Sequence, residues 1–345
     1  DTSPSPYSRG IAQDGSLIAP ATRWGGIMRG LQNTDFEATN IEYIEFWMLD
    51  PFIYEPNHKG GYLYFNLGDV SEDVLRDGRK SFENGLPVSA IVENVDTTIW
   101  GIVPRNQAIV NAFDNNPDSR QYQDVGLDGL SVEQEREFFR DNFLQVIADL
   151  YGTNSQAYRL AFDDPSSDTY HYFRGSNLDA EQMSILDRYK RYNGLEGNSP
   201  TAQQSPEPYP TSATNVPNNE DINRDGTLNE AERYFQYRVS LRPQDMVPGQ
   251  NYITDVMEAN VRLANNQVET VRWYQFKIPL RDPGRQVVGN IEDFKSVRFM
   301  RMFLKGFEEP IICRFATLEL VRGTWRTYER SLLSDGEYAP IDNSD

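Results

Sequence analysis

The chain has 345 residues, of which 38% are hydrophobic and 12% aromatic, which is enough for one large domain or two ordinary ones. Its 52 acidic and 33 basic residues give a formal net charge of −19, which repels phosphate backbones and argues against nucleic-acid binding. The single cysteine, Cys313, excludes an intrachain disulfide and a cysteine-rich metal site, and no apolar run is long enough for a transmembrane helix.

The first zone, residues 1–115, is rich in strand signals. Residues 41–50 form a β-branched and aromatic run, and residues 61–68 alternate apolar and polar side chains as a half-buried strand does. A further short strand is predicted at residues 99–103. This zone is predicted to be the first part of a β-sandwich.

The second zone, residues 116–232, is predicted to be a peripheral insertion of helices, linker and an acidic loop. Ser131 begins a capping box, and its helix is expected to run to about residue 150. A second helix is predicted from residue 176 to about residue 193. Residues 195–220 are rich in Pro, Ser, Asn and Thr, as a linker is.

Strand signals return in the third zone, residues 233–330, and residues 331–345 form a C-terminal tail. Strands are predicted at 234–241, 271–280, 297–304 and 311–321. Strands at both ends with helices between them predict a mainly β fold, in which one sandwich is closed by its termini. Two separate β-domains also fit this pattern.

The twelve residues 221–232 read D-I-N-R-D-G-T-L-N-E-A-E and match an EF-hand-like calcium loop. Oxygen-bearing side chains alternate at its start, Gly226 permits a sharp turn, and a glutamate at the twelfth position can close the site with both oxygens. The residues predicted to bind Ca²⁺ are Asp221, Asn223, Asp225, Thr227 through its backbone carbonyl, and Glu232.

The flanks of this loop point to a structural clip rather than a switch. Pro208, Pro210 and Pro217 precede it, so a helix cannot enter the loop. The exit, residues 229–235, is predicted to be helical. No second loop of this kind occurs, whereas calcium sensors usually pair two such loops between helices. An acidic Asx-turn without a metal also fits the pattern.

Sequence motifs of catalysis and nucleotide binding are absent. The chain has no G-x-x-x-x-G-K, no G-x-G-x-x-G and no G-x-S-x-G. Of its two histidines, His58 is predicted to lie in an exposed loop and His171 to be packed rather than catalytic. With 52 acidic residues, no catalytic carboxylate pair stands out. We therefore predict that the chain is not an enzyme.

A calcium-containing carbohydrate-binding module, or a glycosidase fragment, is the alternative. Trp47, Tyr62 and Tyr64 would then lie on an outer face of a jelly roll and bind sugar rings. Aromatic residues at strand spacing are more often packing residues. A glycan array separates this alternative from a role in a larger assembly.

Long stretches of the chain resemble the SprA/Sov family of gliding-motility and secretion proteins. These stretches are specific because they are long and unusual in composition. They are residues 21–29, 34–52, 152–158, 171–177, 220–237 and 315–326.

The resemblance implies a role in transport. Members of this family form the outer-membrane translocon of the type IX secretion system, a very large β-barrel through which folded cargo crosses the membrane. The chain would be an internal, soluble segment of such a protein, on the periplasmic or cell-surface side. Its partners would be the rest of the barrel, accessory outer-membrane subunits and secreted cargo. Its sandwich would resemble the galactose-binding jelly-roll class.

Overall fold

The protein is mainly β in the computed structural model, with 32% of residues in strands and 17% in helices, which confirms the predicted class. The structure describes residues 10–83, 89–105, 114, 116–120, 122–123, 128–168, 175–189, 220–262 and 266–323. The predicted linker at 195–219, His171 and the tail at 331–345 lie outside these residues.

Eleven strands are described, and all of their pairings are antiparallel. In chain order they are β1 (Trp24–Gly30), β2 (Ile41–Leu49), β3 (Gly61–Asp69), β4 (Val95–Thr97), β5 (Ile102–Pro104), β6 (Arg233–Leu241), β7 (Ile253–Arg262), β8 (Val268–Pro279), β9 (Gln286–Val288), β10 (Phe299–Lys305) and β11 (Phe315–Arg322).

Strands from the two ends of the chain alternate within the same sheets. The five-stranded sheet has the order β1-β10-β3-β6-β9, and the four-stranded sheet has the order β11-β2-β8-β7. Because β3 pairs with β6, Asp69 lies opposite Arg233, so the chain leaves and rejoins the sheet at one place. We call the intervening residues 70–232 the insert. In its described parts, the insert contributes no strand to either large sheet.

The two sheets pack face to face over one apolar core. Leu63, Phe65 and Leu67 are fully buried on the inner face of β3, as their alternation predicts. Phe46 of β2 stacks on Phe276 of β8 with ring centroids 4.7 Å apart. Burial of each such side chain contributes about 1.5–3 kcal/mol, so this core supplies most of the apolar stabilisation.

Some strands lacked a recognisable signal in the sequence. Strand β1 is mostly exposed and contains three glycines, while β7 is mostly exposed and its apolar residues do not alternate regularly with polar ones. The predicted strands at 297–304 and 311–321 exist as β10 and β11, but they lie in different sheets. Cys313 is half-buried beside β11, and burial raises the pKa of its thiol to about 12.

The α-helices of the described part all lie in the insert, whereas two 3₁₀ turns, Pro20–Thr22 and Pro243–Asp245, lie outside it. The α-helices are α1 (Pro117–Arg120), α2 (Val132–Phe138), α3 (Gln145–Tyr151), α4 (Gln156–Asp163), α5 (Ser176–Ala180) and α6 (Ile185–Tyr189), with a π-helical turn at Arg140–Leu144. Gln134 accepts a hydrogen bond from the Ser131 N–H at 2.9 Å, as the capping box predicts. The helix predicted from residue 176 is instead two short helices, and α4 was not predicted.

The helices bury a second, smaller apolar core. Its fully or nearly fully buried members are Ile11, Leu144, Ile147, Ala157 and Ala161. Within the described ranges, no helix is long and apolar enough to cross a membrane.

His58 is buried, so the prediction of an exposed loop is wrong. Its Nδ1 accepts the Gly60 N–H at 2.8 Å, and its Nε2 lies 3.2 Å from the carbonyl oxygen of Pro310. The ring packs between Phe52 and Phe307. The polar residues around it in the sequence concealed this packing, since the contacts come from distant parts of the chain.

Candidate metal-binding loop

The predicted calcium loop lies where the insert rejoins the sandwich. We call residues 69–83 and 220–233 the neck of the insert. At its base, Asp69 is fully buried and accepts charge-assisted hydrogen bonds from Arg233 and Arg298, both at 2.5 Å. Such bonds are stronger than neutral ones, so they fix the end of β3 against the start of β6.

Glu72 holds the loop from the sandwich side. Its side chain is fully buried, and its two oxygens accept the N–H groups of Ile222 at 2.8 Å and Asn229 at 3.1 Å. Asn229 in turn donates to the carbonyl oxygen of Val70 at 2.6 Å. Burial raises the pKa of Glu72, while the hydrogen bonds from the backbone oppose that shift. Both halves of the loop are therefore anchored to residues just after β3.

The first predicted ligand, Asp221, lies inside the curl of the loop. Only 2% of its surface is exposed, and it accepts the N–H groups of Asp225 at 3.0 Å and Gly226 at 3.3 Å. Gly226 has a φ of +79°, in the left-handed region that glycine adopts without strain. Burial raises the pKa of the Asp221 carboxyl. The sharp turn predicted at this glycine is present.

The next three predicted ligands lie close together. The Asn223 amide donates to Asp225 Oδ2 at 2.8 Å. Asp225 Oδ1 accepts from the backbone N–H of Thr227 at 2.9 Å and from its hydroxyl at 2.6 Å. Burial acts to raise the pKa of Asp225, but the hydrogen bonds from Thr227 and Asn223 outweigh it and lower the pKa. Four of the five predicted residues thus share one compact turn.

Glu232 makes its contacts outside this turn. Its Oε1 accepts the Ser71 N–H at 3.1 Å and lies 3.6 Å from Arg301 Nη1. The predicted helical exit is wrong, because β6 begins at Arg233 and the chain is already extended there. A helix turns its side chains back toward its start, whereas a strand does not, and this difference accounts for the position of Glu232.

A second acidic group, which the sequence patterns did not reveal, lies among the helices. Glu135, Asp164 and Asp168 bring one oxygen each within 4.8 Å of one another, the only such set of three acids in the described ranges. Glu135 Oε2 accepts the Ser166 N–H at 3.1 Å. Burial, and then the charge of Asp128, raise the pKa of Glu135. The run D-D-P-S-S-D at 163–168 was the available signal.

The aromatic residues considered for sugar binding do not form one platform. Trp47 belongs to the four-stranded sheet, whereas Tyr62 and Tyr64 belong to the five-stranded sheet, so the outer faces that carry them point in opposite directions. Tyr64 is stacked on Phe303 with centroids 4.7 Å apart, and Arg242 covers the ring of Tyr62 at 4.1 Å. These ring faces are therefore already in contact with the protein.

Comparison with known families gives one match. A family model described as a motility-related/secretion protein matches residues 142–344, which is well over half of the chain. The matched region begins within the helices of the insert and includes the loop at 221–232 and strands β6 to β11. No curated protein matches this chain.

Proposed function

Because the chain belongs to the SprA_N family of motility-related and secretion proteins, we propose that it is a non-catalytic domain of a type IX outer-membrane translocon. The family match, which confirms the resemblance to SprA/Sov, is the observation that carries this proposal. The family is one of motility and secretion and is not a known enzyme family. In this role the domain supports protein export and gliding motility at the outer membrane.

The proposed architecture is a galactose-binding-like jelly roll with an added insert. Two antiparallel sheets of five and four strands over one core support this class. Strands from before and after the insert alternate in each sheet, so the sandwich is closed by the two ends of the chain. Such a scaffold can present long insertions without unfolding, because loop closure costs little more for long loops than for short ones.

We further propose that the loop at 221–232 binds Ca²⁺. The donors fit a hard cation, since all of them are carboxylate, amide or carbonyl oxygens. Asp221 and Asp225 are held in one turn, and among the described residues no basic side chain is hydrogen-bonded to them. Glu232 would exchange its contact with Ser71 for the cation. The residues that would hold the ion are Asp221, Asn223, Asp225, Thr227 and Glu232.

The role of this ion would be mechanical. The loop is attached to the end of β3 through Glu72 and leads directly into β6. A bound cation would neutralise the carboxylates and order the loop, and so fix the insert against the sandwich. We therefore assign the calcium a bracing role.

We place a contact with the rest of the translocon along β1, the exposed edge strand of the five-stranded sheet. Trp24 and Ile27 of β1 are 63% and 66% exposed, and β1 pairs with a described strand on one side only. Arg301 and Lys305 lie beside Trp24 in a shallow groove. Exposed apolar edges favour strand addition, and basic groups on a chain of net charge −19 favour an acidic partner. The occupant would be an extended acidic segment of the same translocon.

Export in the native cell tests this proposal. Trp24→Glu combined with Ile27→Glu adds negative charge to the exposed edge strand β1, so we expect at least a tenfold loss of secreted cargo and of gliding. The purified double variant should melt within about two degrees of the wild type, because exposed substitutions change stability little. Secretion is measured by quantitative mass spectrometry of the culture medium.

A matched control uses the other sheet. Met257 and Val268 are 53% and 61% exposed, so Met257→Glu with Val268→Glu makes the same change on the four-stranded sheet. This control should export normally. If both double variants export equally, β1 is not the contact with the translocon. Normal export after deletion of the whole gene removes the proposed function itself.

A further inference from the structure

Glu83 is a completely buried carboxyl group whose oxygens receive no hydrogen bond. Its exposed fraction is 0%, and neither Oε1 nor Oε2 has a donor within reach. A buried ionised group without a partner is strongly destabilising. Glu83 must therefore be protonated or be neutralised by a cation. It lies in the segment by which the chain leaves the sandwich, in the neck.

Three more acids lie around Glu83. Its backbone N–H donates to Glu220 Oε1 at 2.8 Å, which fixes Glu220 beside it. One buried oxygen of Asp73 and one of Asp77 likewise receive no hydrogen bond. After burial itself, Glu220, Asp73 and Asp77 act on Glu83, and all of them raise its pKa. We call Asp73, Asp77, Glu83 and Glu220 the neck acids.

Nearby basic side chains do not balance this charge. Lys80 Nζ lies 2.5 Å from Glu230, and Arg79 lies 2.7 Å from Asp96. Burial, and then Asp77, raise the pKa of Asp73 to about 6, although Lys80 acts in the opposite direction. The charges acting on Glu83 and Asp73 are thus repulsive on balance, which is the situation that a bound cation relieves.

We propose that the neck acids bind a divalent cation, Ca²⁺, at a site separate from the loop at 221–232. Every donor is a carboxylate oxygen, which is the donor type that hard cations select. Ca²⁺ fits better than Mg²⁺, because it accepts an irregular shell of about six to eight oxygens, whereas Mg²⁺ requires a near-ideal octahedron. No three of these acids bring oxygens within 4.8 Å of one another. A bound cation would draw these oxygens together.

Such an ion would join the two ends of the insert. Asp73, Asp77 and Glu83 belong to the segment that leaves the sandwich after β3, and Glu220 belongs to the segment that returns before β6. A cation shared by both segments would close the neck, as a crosslink does. This inference does not depend on the calcium proposed for the adjacent loop, because the two donor sets have no residue in common.

Calcium stoichiometry tests the proposal. The chain is stripped with EDTA, dialysed, and titrated with CaCl₂ in a calorimeter. We expect Glu83→Gln to bind one Ca²⁺ fewer than the wild type, because glutamine lacks the charge that the ion needs. Asp77→Asn should show the same loss and serves as the second variant where Glu83→Gln does not fold. Glu93→Gln, which alters an exposed acid of the insert, should bind as many ions as the wild type.

The competing explanation is a proton shared between Glu83 and Glu220. In that case Glu83→Gln binds as many ions as the wild type and melts at a higher temperature in EDTA, since folding at neutral pH no longer has to protonate a buried carboxyl group. That result overturns the proposal. Glu232→Gln separates the two sites. If Glu232→Gln binds one ion fewer while Glu83→Gln and Asp77→Asn bind as many as the wild type, the loop is a calcium site and the neck acids are not.

Discussion

The sandwich and the insert differ in what their interiors are made of. The core of the sandwich contains twenty buried hydrophobic residues, among them stacked aromatic rings. Among the residues that the structure describes, the separate helical core has five buried members, two of which are alanines. Beside it are buried acids, including Asp128, Glu135 and Asp168. Apolar burial therefore stabilises the sandwich by itself, whereas the insert depends on polar contacts and on its attachment at the neck.

The neck explains how two such different regions are held together. Asp69 joins the end of β3 to the start of β6 through Arg233 and to the residue before β10 through Arg298, and Glu72 holds the loop at 221–232. Cations at the loop and at the neck acids would add crosslinks where the chain enters and leaves the insert. This arrangement predicts that the two regions respond differently to mutation, to calcium and to pH.

Removing a core side chain has the largest expected effect. Phe276→Ala leaves a cavity beneath Phe46 and should lower the free energy of unfolding of the sandwich by about 3–5 kcal/mol. Ile147→Ala in the helical core should instead increase amide exchange only in α2 to α4. Thermal unfolding and hydrogen-exchange mass spectrometry measure both. An Ile147→Ala variant that loses protection across the sandwich strands would show that the regions fold as one unit.

Calcium removal has an intermediate expected effect. A ligand at a hundred times its dissociation constant adds about 2.7 kcal/mol to the free energy of unfolding, which is a few degrees in melting temperature here. Glu232→Gln should remove the part of this shift that arises from the loop, while it leaves the melting temperature in EDTA unchanged. Glu93→Gln should keep the full shift. A wild-type melting temperature that is the same in calcium and in EDTA contradicts both cation proposals.

The smallest expected effect concerns pH and the helices. Burial raises the pKa values of Glu135 and Asp128 above their ordinary values of 4.5 and 3.8. The folded state therefore binds these protons more tightly than the unfolded state. This stabilisation is present below the ordinary values and is lost as pH rises through the raised ones.

Glu135→Gln tests this pH dependence. The substitution should flatten the pH dependence of helix stability. It should also raise the free energy of local unfolding of the helices by about 1 kcal/mol at pH 8. The measurement is amide exchange of α2 to α4, corrected for the intrinsic rate. Glu137→Gln, an exposed change on the same helix, is the control. An unchanged pH dependence in Glu135→Gln would rule out this residue as its source.

The local patterns of the sequence determined the elements whose signals are short-range. Alternation placed Leu63, Phe65 and Leu67 inside, the capping residue Ser131 began a helix, and Gly226 marked the turn of the loop. Each of these depends on neighbouring residues, because side chains alternate in strands and caps act within one turn. The stretches that resemble SprA/Sov identified the family, because such a resemblance is also read from contiguous residues.

Only the tertiary structure decided which residues meet across long distances. It buried His58 against Pro310, it turned Glu232 toward Ser71 and Arg301, and it brought Glu83 beside Glu220. No local pattern encodes these contacts, because they form only when strands that are distant in sequence pair, β3 with β10 and β3 with β6. The motif therefore located the loop, whereas the fold determined that a second group of acids lies next to it.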